Sequence, residues 1–330
     1  MGGFLTQLWP PKPEFMEQHV PSLVGKVFIV TGGNAGIGFE LVKILYSKGG
    51  TIYIPGRSQS RINTAIDSIK AIPSTTPGTL KALHLDLNDL TTVPTCAAAF
   101  LAQESRLDVL WNNAGFARSP FVATTQGYEA HMGVNCVAPF LLTTLLLPIL
   151  RQTAETASKG SVRVVFASSG IIDMTGPPGG LSLDELNPGN YATDKNHNYS
   201  ASKAGNWFLA SEFDKRFRKD GIICVAQTPG TLRTKGWDRA PWAMRAMMSP
   251  FMYEPKMGAY TELWAGISPA VQPEDGGKLA IPWGRWHPGA KKHIQDSLKA
   301  KEEGGTGVAA KFFEWCEQQT ESYADKTLER

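Results

Sequence analysis

The spacing of apolar positions switches repeatedly along the chain between two periods. Residues 26–31 form a short β-branched run that ends in glycines, as a buried parallel strand does. Residues 36–48 then take helical spacing, with Ile37, Leu41, Ile44 and Leu45 on one face and Gly49-Gly50 as a stop. The alternation continues with a strand at 51–55 and a helix at 59–72 closed by Pro73. Strands follow at 80–87 and 107–111, separated by a helix near 90–104. A long helix near 127–151 leads into a strand at 162–167, and a helix near 199–219 into a strand at 222–227. Residues 277–284 read as one last strand. Such a chain is α/β: a single Rossmann-type, doubly wound parallel sheet of about seven strands with helices on both faces.

Two stretches interrupt the rhythm. Residues 170–198, rich in Gly, Pro, Asn and Asp, form an unusually long connection of the kind that is functional or mobile. Residues 231–265 gather Trp237, Trp242, Met244, Met247, Met248, Phe251, Met252, Tyr253 and Trp264. Such side chains more often form core, but their position after the strand at 222–227 and its Pro229-Gly230 loop fits a lid that adapts to an apolar molecule. No repeat or low-complexity linker divides the chain. The expected organisation is an N-terminal arm at 1–24, one domain at 25–289 with its lid region at 231–265, and a polar helical tail at 290–330.

Charge and rare residues narrow the classes. Lysine and arginine number 33 against 30 acidic residues, a net charge of +3 with no long basic run, which argues against nucleic acid as a partner. Cys96, Cys136, Cys224 and Cys316 form no CxxC pair and fit buried thiols in a reducing compartment. The histidines never fall at HxxxH or HxH spacing, so no metal site is expected. The most apolar stretch, 137–150, contains Pro139 and Pro148 and reads as a buried helix rather than a membrane span. The start, Met1-Gly2-Gly3-Phe4-Leu5-Thr6, fits the loose N-myristoylation pattern, although a plain disordered start fits as well. Phe4, Leu5, Leu8 and Trp9, followed by prolines, suit an arm packed on the body or resting on a membrane surface. The chain is expected to be cytoplasmic, with membrane association left open.

The turn after the first strand, Thr31-Gly32-Gly33-Asn34-Ala35-Gly36-Ile37-Gly38, opens a helix. Glycines there let the backbone approach a pyrophosphate, whose charge the helix-start amides hold. Far downstream, Tyr199 and Lys203 stand four residues apart and therefore share one helix face. An ammonium beside a phenol favours phenolate and tunes an acid–base group towards working pH.

Thr31 to Gly38, Asn112-Asn113-Ala114-Gly115, Asn135, Ser169, Tyr199/Lys203 and Pro229-Gly230 together resemble the short-chain dehydrogenase/reductase family, over about residues 24–285. Within it the chain is most similar to retinol-dehydrogenase-like and WW-domain-oxidoreductase-like members. The resemblance implies a catalytic set of Asn135, Ser169, Tyr199 and Lys203. Tyr199 would exchange a proton with the substrate oxygen, Ser169 would polarise it, and Asn135 would hold a water that relays protons to Lys203. Ser168 is the rival for Ser169, because strand alternation does not settle which hydroxyl faces the cleft. Tyr191 is a weaker rival for Tyr199, having no lysine four residues on.

Cofactor contacts are implied for Thr31, Gly32, Asn34, Gly36, Ile37, Gly38, Arg57, Ser58, Asp86, Leu87, Asn113, Ala114, Gly115, Tyr199, Lys203, Pro229, Gly230 and Thr234. The second strand ends in Ile54-Pro55-Gly56-Arg57-Ser58 with no carboxylate until Asp67, which points to NADP(H), since Arg57 can fork onto a 2′-phosphate. Asp86 would hold the adenine amine, or else cap the helix that follows. Trp111 stands where many relatives carry an aliphatic residue. The expected activity is an NADP(H)-dependent interconversion of carbonyl and alcohol on a bulky apolar molecule of steroid, retinoid, terpenoid or polyketide type. Alternatives are a non-redox enzyme on the same scaffold or a non-catalytic NADP(H) sensor. Relatives often pair through the helices carrying the Asn and Tyr, so a homodimer is among the expectations.

Overall fold

The computed structural model describes residues 6–117, 122–233, 242 and 249–328. Eight strands form one sheet: β1 (Val27–Val30), β2 (Thr51–Gly56), β3 (Thr79–His84), β4 (Val109–Asn112), β5 (Val162–Ala167), β6 (Ile222–Gln227), β7 (Leu279–Ile281) and β8 (Arg285–Trp286). Their order is β3-β2-β1-β4-β5-β6-β7-β8. All neighbours are parallel except β7 and β8, an antiparallel pair in which Ile281 faces Arg285. The expectation of about seven parallel strands therefore missed β8. Two residues are too few to show a period, and a turn at Gly284 hid the return.

Helices α1 (Gly36–Ser47), α2 (Gln59–Lys70), α3 (Thr92–Leu101), α4 (Ala130–Thr156), α5 (Ile171–Thr175), α6 (Lys195–Phe217), α7 (Pro255–Ile267), α8 (Lys292–Leu298) and α9 (Val308–Leu328) complete the fold. Alternation within β1 shows how the layers are built: Phe28 and Val30 pack with α1, α2 and α7, while Val27 and Ile29 face α3, α4, α6 and α9. By length and composition alone α4 could cross a membrane, at a mean hydropathy of 1.9, but 89% of that window is buried inside the fold. Its apolar length serves a two-sided core, as the prolines suggested.

The connection at 170–198 is less irregular than its composition implied. It holds α5 and a 3-10 turn at Leu183–Glu185, and α6 starts at Lys195 because the Asp194 side chain accepts from Asn196 N at 2.8 Å. The tail was expected to be polar, yet α9 buries Ala309, Phe312, Phe313, Cys316 and Thr320. Those positions share one helical stripe, which lies on α4 and α6.

The arm is bound to the body. Arg285 donates to Thr6 O (2.9 Å), Gln7 Nε2 to Asp173 (3.0 Å), and the Tyr253 hydroxyl to Leu8 O (3.3 Å). Within the expected lid, Leu232 and Tyr253 bridge in parallel, Trp264 is buried core, and Trp242 is exposed. Thr234, Trp237, Met244, Met247, Met248 and the Met1–Leu5 lipidation pattern lie outside the described residues.

Candidate active site

β1 lies between β2 and β4, so the chain reverses direction across the sheet at the C-terminal end of β1. A crevice opens at such a switch point in doubly wound sheets. The glycine turn occupies it. Gly32 and Gly36 have φ of +68° and +57°, the left-handed region that side chains resist. A Cβ on Gly38 would stand 2.5 Å from Asn113 Nδ2 and 2.8 Å from Gly32 O, so only hydrogen fits there. At the start of α1 the N-cap is Ala35, which provides no side-chain acceptor for the free amides of the first turn. Asn113 Nδ2 donates to Thr31 O (2.8 Å) and Ala114 N to Thr31 Oγ1 (3.0 Å), joining the turn to the segment after β4. This backbone cradle fits a dinucleotide pyrophosphate on its own geometry.

Most of the other cofactor positions surround the cradle. Gly258 of α7 packs where Pro229 and Ile37 converge, within 3.2 and 3.3 Å of a Cβ built there, so the turn after β6 adjoins the start of α1. Gly230 has a φ of +84° beside Pro282 and Trp283. Asn34 Oδ1 faces Gly56 at the end of β2. Arg57 is exposed there and pairs with nothing among the described residues, whereas Ser58 also caps α2, accepting from Arg61 N. Asp86 forms a local turn by accepting from Asn88 N at 3.0 Å, and the cap position of α3 falls to Thr91. The Leu87 side chain is buried in the core, so only its backbone can face a ligand.

The four chemistry-bearing residues come together from β5, α4 and α6. Asn135 sits in a π turn, Gly133–Val137, within α4. Its amide bonds to Phe116 N (3.3 Å), Phe116 O (3.4 Å) and Ser202 Oγ (3.0 Å). Gly115 lies between Asn135 and Lys203; a Cβ there would be 2.9 Å from Asn135 Oδ1 and 3.5 Å from Lys203 Nζ. Ser168 Oγ donates to Lys203 O (2.8 Å) and is buried, while Ser169 Oγ accepts from Ile171 N (3.3 Å) and acts on the Tyr199 phenol. Backbone direction at the end of β5 thus separates the two hydroxyls. Tyr191 lines a different, small cavity with Glu129, Glu185 and Asn198.

Electrostatics at the site depart from the simple expectation for Tyr199 and Lys203. Burial raises the Tyr199 phenol above its ordinary value, and the neighbouring Ser169 hydroxyl offsets this in part. Lys203 Nζ stands 5.8 Å from the Tyr199 ring centroid and donates to Ala167 O at 2.8 Å. Burial brings Lys203 itself down to about 8, opposed by nearby Cys136 and Glu262. The expected lowering of the phenol by the ammonium is absent here, because desolvation dominates both groups. Sequence reasoning also missed Glu262 and the buried pair Glu129–His131. The His131 ring meets Tyr199 edge-on at 5.8 Å. The only available signal was their spacing just before Asn135.

The family model described as short chain dehydrogenase matches residues 26–179. A short-chain dehydrogenase/reductase of Pestalotiopsis fici is 49% identical over 317 residues, covering 94% of this chain and 95% of that protein. The crystal structure of an uncharacterised protein from Mycobacterium Paratuberculosis is similar at a TM-score of 0.68 and 25% identity, over 93% of this chain and 97% of that one. The NADPH-bound carbonyl reductase from chicken fatty liver is similar in fold, at a TM-score of 0.59 and 21% identity, over 79% and 96% of the two chains.

Proposed function

The chain belongs to the short-chain dehydrogenase/reductase family, and on that premise we propose that it is an NADP(H)-dependent oxidoreductase interconverting a carbonyl and an alcohol on a bulky apolar molecule. The observation that carries this reading is the convergence of Ser169, Tyr199, Lys203 and Asn135 beside an intact glycine cradle. Bound NADP(H) would supply or accept the hydride. The residues of the chain handle the proton. Tyr199, its phenol held protonated by burial, suits donation to a carbonyl oxygen during reduction. Ser169 donates a fixed hydrogen bond to the same oxygen as charge develops on it. Lys203, near 8, can hand on a proton within the working range, and Asn135 anchors the backbone around it. Arg57 after β2, with no partner among the described residues and no carboxylate following it until Asp67, supports NADP(H) over NAD(H).

Tyr199→Phe tests the assignment. It is expected to lower kcat about 10²- to 10⁴-fold while NADPH binding, followed by fluorescence titration, persists. Unchanged turnover would rule out Tyr199 as the acid–base group. NADPH consumption matched to product formation separates redox from non-redox chemistry.

A further inference from the structure

Outside the four residues already described, the most unusual polar groups near the site are Glu129 and His131. Both lie at the start of α4, just before the π turn that carries Asn135. His131 is 0% exposed and Glu129 7%. Glu129 Oε2 accepts from Met132 N at 2.9 Å, which caps the helix, and Oε1 lies 2.8 Å from His131 Nδ1. The other ring nitrogen, Nε2, lies 3.3 Å from Ala117 O. The ring itself is edge-on to Tyr199 (5.8 Å, 62°) and to Phe116 (5.3 Å, 65°).

A cap needs only the carboxylate. The buried imidazole does something else: its polar atoms tie the helix start to the segment after Gly115, and its apolar edge contacts the ring of Tyr199. Carboxylate on one side and carbonyl on the other mean that both ring nitrogens face acceptors, which fixes the ring's orientation. The Nδ1 contact to the carboxylate is the shorter of the two, 2.8 Å against 3.3 Å to Ala117 O, and an N–H directed at Glu129 holds the ring there.

We propose that Glu129 and His131 are a positioning pair for Tyr199, setting the angle at which its phenol meets Ser169 and the substrate oxygen. The imidazole lies between Glu129 and Ala117 O, so Tyr199 has a buried, held neighbour on one side while Lys203 lies 5.8 Å from its ring centroid. Titratable groups facing the pair are Tyr199 from α6, Cys136 from the π turn, and Glu185 and Tyr191, which share a small cavity with Glu129. The inference rests on Tyr199 being the acid–base group.

The test compares His131→Phe, His131→Gln, Glu129→Gln and Tyr199→Phe in the full-length protein, with NADPH and an apolar diketone such as phenanthrenequinone. His131→Phe keeps a ring but loses both polar contacts. It should lower kcat at least ~10-fold with KM for NADPH within about 2-fold, as small misplacement of a catalytic group does. His131→Gln, still able to donate to Glu129, should recover part of the loss, and the pH profile of kcat should shift in His131→Phe. If kcat and the pH profile stay at wild-type values while only the melting temperature falls, the pair is structural and the proposal is overturned. Should His131→Phe fail to fold, Glu129→Gln is judged by the same criterion. Wild-type turnover in Tyr199→Phe would instead overturn the underlying assignment of Tyr199. An inactive Tyr199→Phe beside fully active pair variants would overturn the pair alone.

Discussion

The carboxyl of Glu262 and the ammonium of Lys203 are both buried, and each acts on the other electrostatically. Desolvation raises Glu262 from 4.5 to about 8, and among the described residues its carboxyl is partnered by Gln227 Nε2 at 3.1 Å. The native state therefore holds this proton across a range where the unfolded chain releases it. Stability from this group is full below about 4.5 and falls as pH rises towards 8. Lys203 acts in the other sense: lowered to about 8, it adds stability as pH rises from there towards 10.5. Glu262→Gln removes the first titration. The stability of the native protein relative to Glu262→Gln should drop by on the order of 2 kcal/mol between pH 5 and pH 8, measured by urea unfolding at each pH. A difference that is flat with pH would show that Glu262 does not titrate in this window. Arg57 gives a prediction of a different kind, because it is exposed and has no partner among the described residues. Arg57→Ala should weaken NADPH binding about 10-fold or more, through loss of charged hydrogen bonds, and leave NADH binding nearly unchanged in the same titration.

These residues also mark the limit of what the sequence discloses. Thr31 to Gly38 and Tyr199/Lys203 are local spacings, so their chemistry can be read from neighbours in the chain. Ser168 and Ser169 could not be separated that way. The choice depends on where Lys203 O sits, on a different element. Glu262 reaches the site through the tertiary fold alone, and no pattern around it differs from an ordinary helix.

At the scale of elements, β4 and α7 meet through one close contact. Trp111 is fully buried, donates from Nε1 to Glu262 O at 2.9 Å, and lies against Phe28 at 5.7 Å. Its indole is accommodated because position 266 is glycine; a Cβ there would stand 2.1 Å from Trp111 Cζ2. The Trp111 indole thus has a matching vacancy on the facing helix. Gly266→Ala should destabilise by about 1–3 kcal/mol through overpacking. Because Trp111 precedes Asn112 and Asn113, NADPH affinity should fall as well. Urea unfolding and a fluorescence titration read the two effects, and an alanine tolerated without loss would show that α7 can shift freely. Element types and order were legible because long apolar periods fix them. The two-residue β8 was not, and α9, though legible as a helix, hid its buried face because polar composition obscured the Ala309–Phe312–Phe313–Cys316 stripe.

For the whole molecule, the arm and the tail determine which surfaces stay open. The arm joins Arg285 on the edge strand to Asp173 on α5 and to Tyr253 beyond the cofactor loop. Glu17 adds an ion pair with Lys256 and accepts from the Tyr260 hydroxyl at 2.6 Å, so the arm also restrains α7. The tail helix lies on α4 and α6, the two helices that carry Asn135 and Tyr199, and the Tyr128 hydroxyl donates to Gln319 at 2.9 Å.

That last arrangement bears on how the protein responds to dilution. An assembly that covered these helices with a second chain would gain stability by mass action. Here α9 covers them from within the same chain, an intramolecular contact whose strength does not depend on concentration. The melting temperature should stay constant over a hundred-fold dilution, and light scattering should show no dimer formed through this face. A midpoint that climbs steadily with concentration would mean that a second chain displaces the tail.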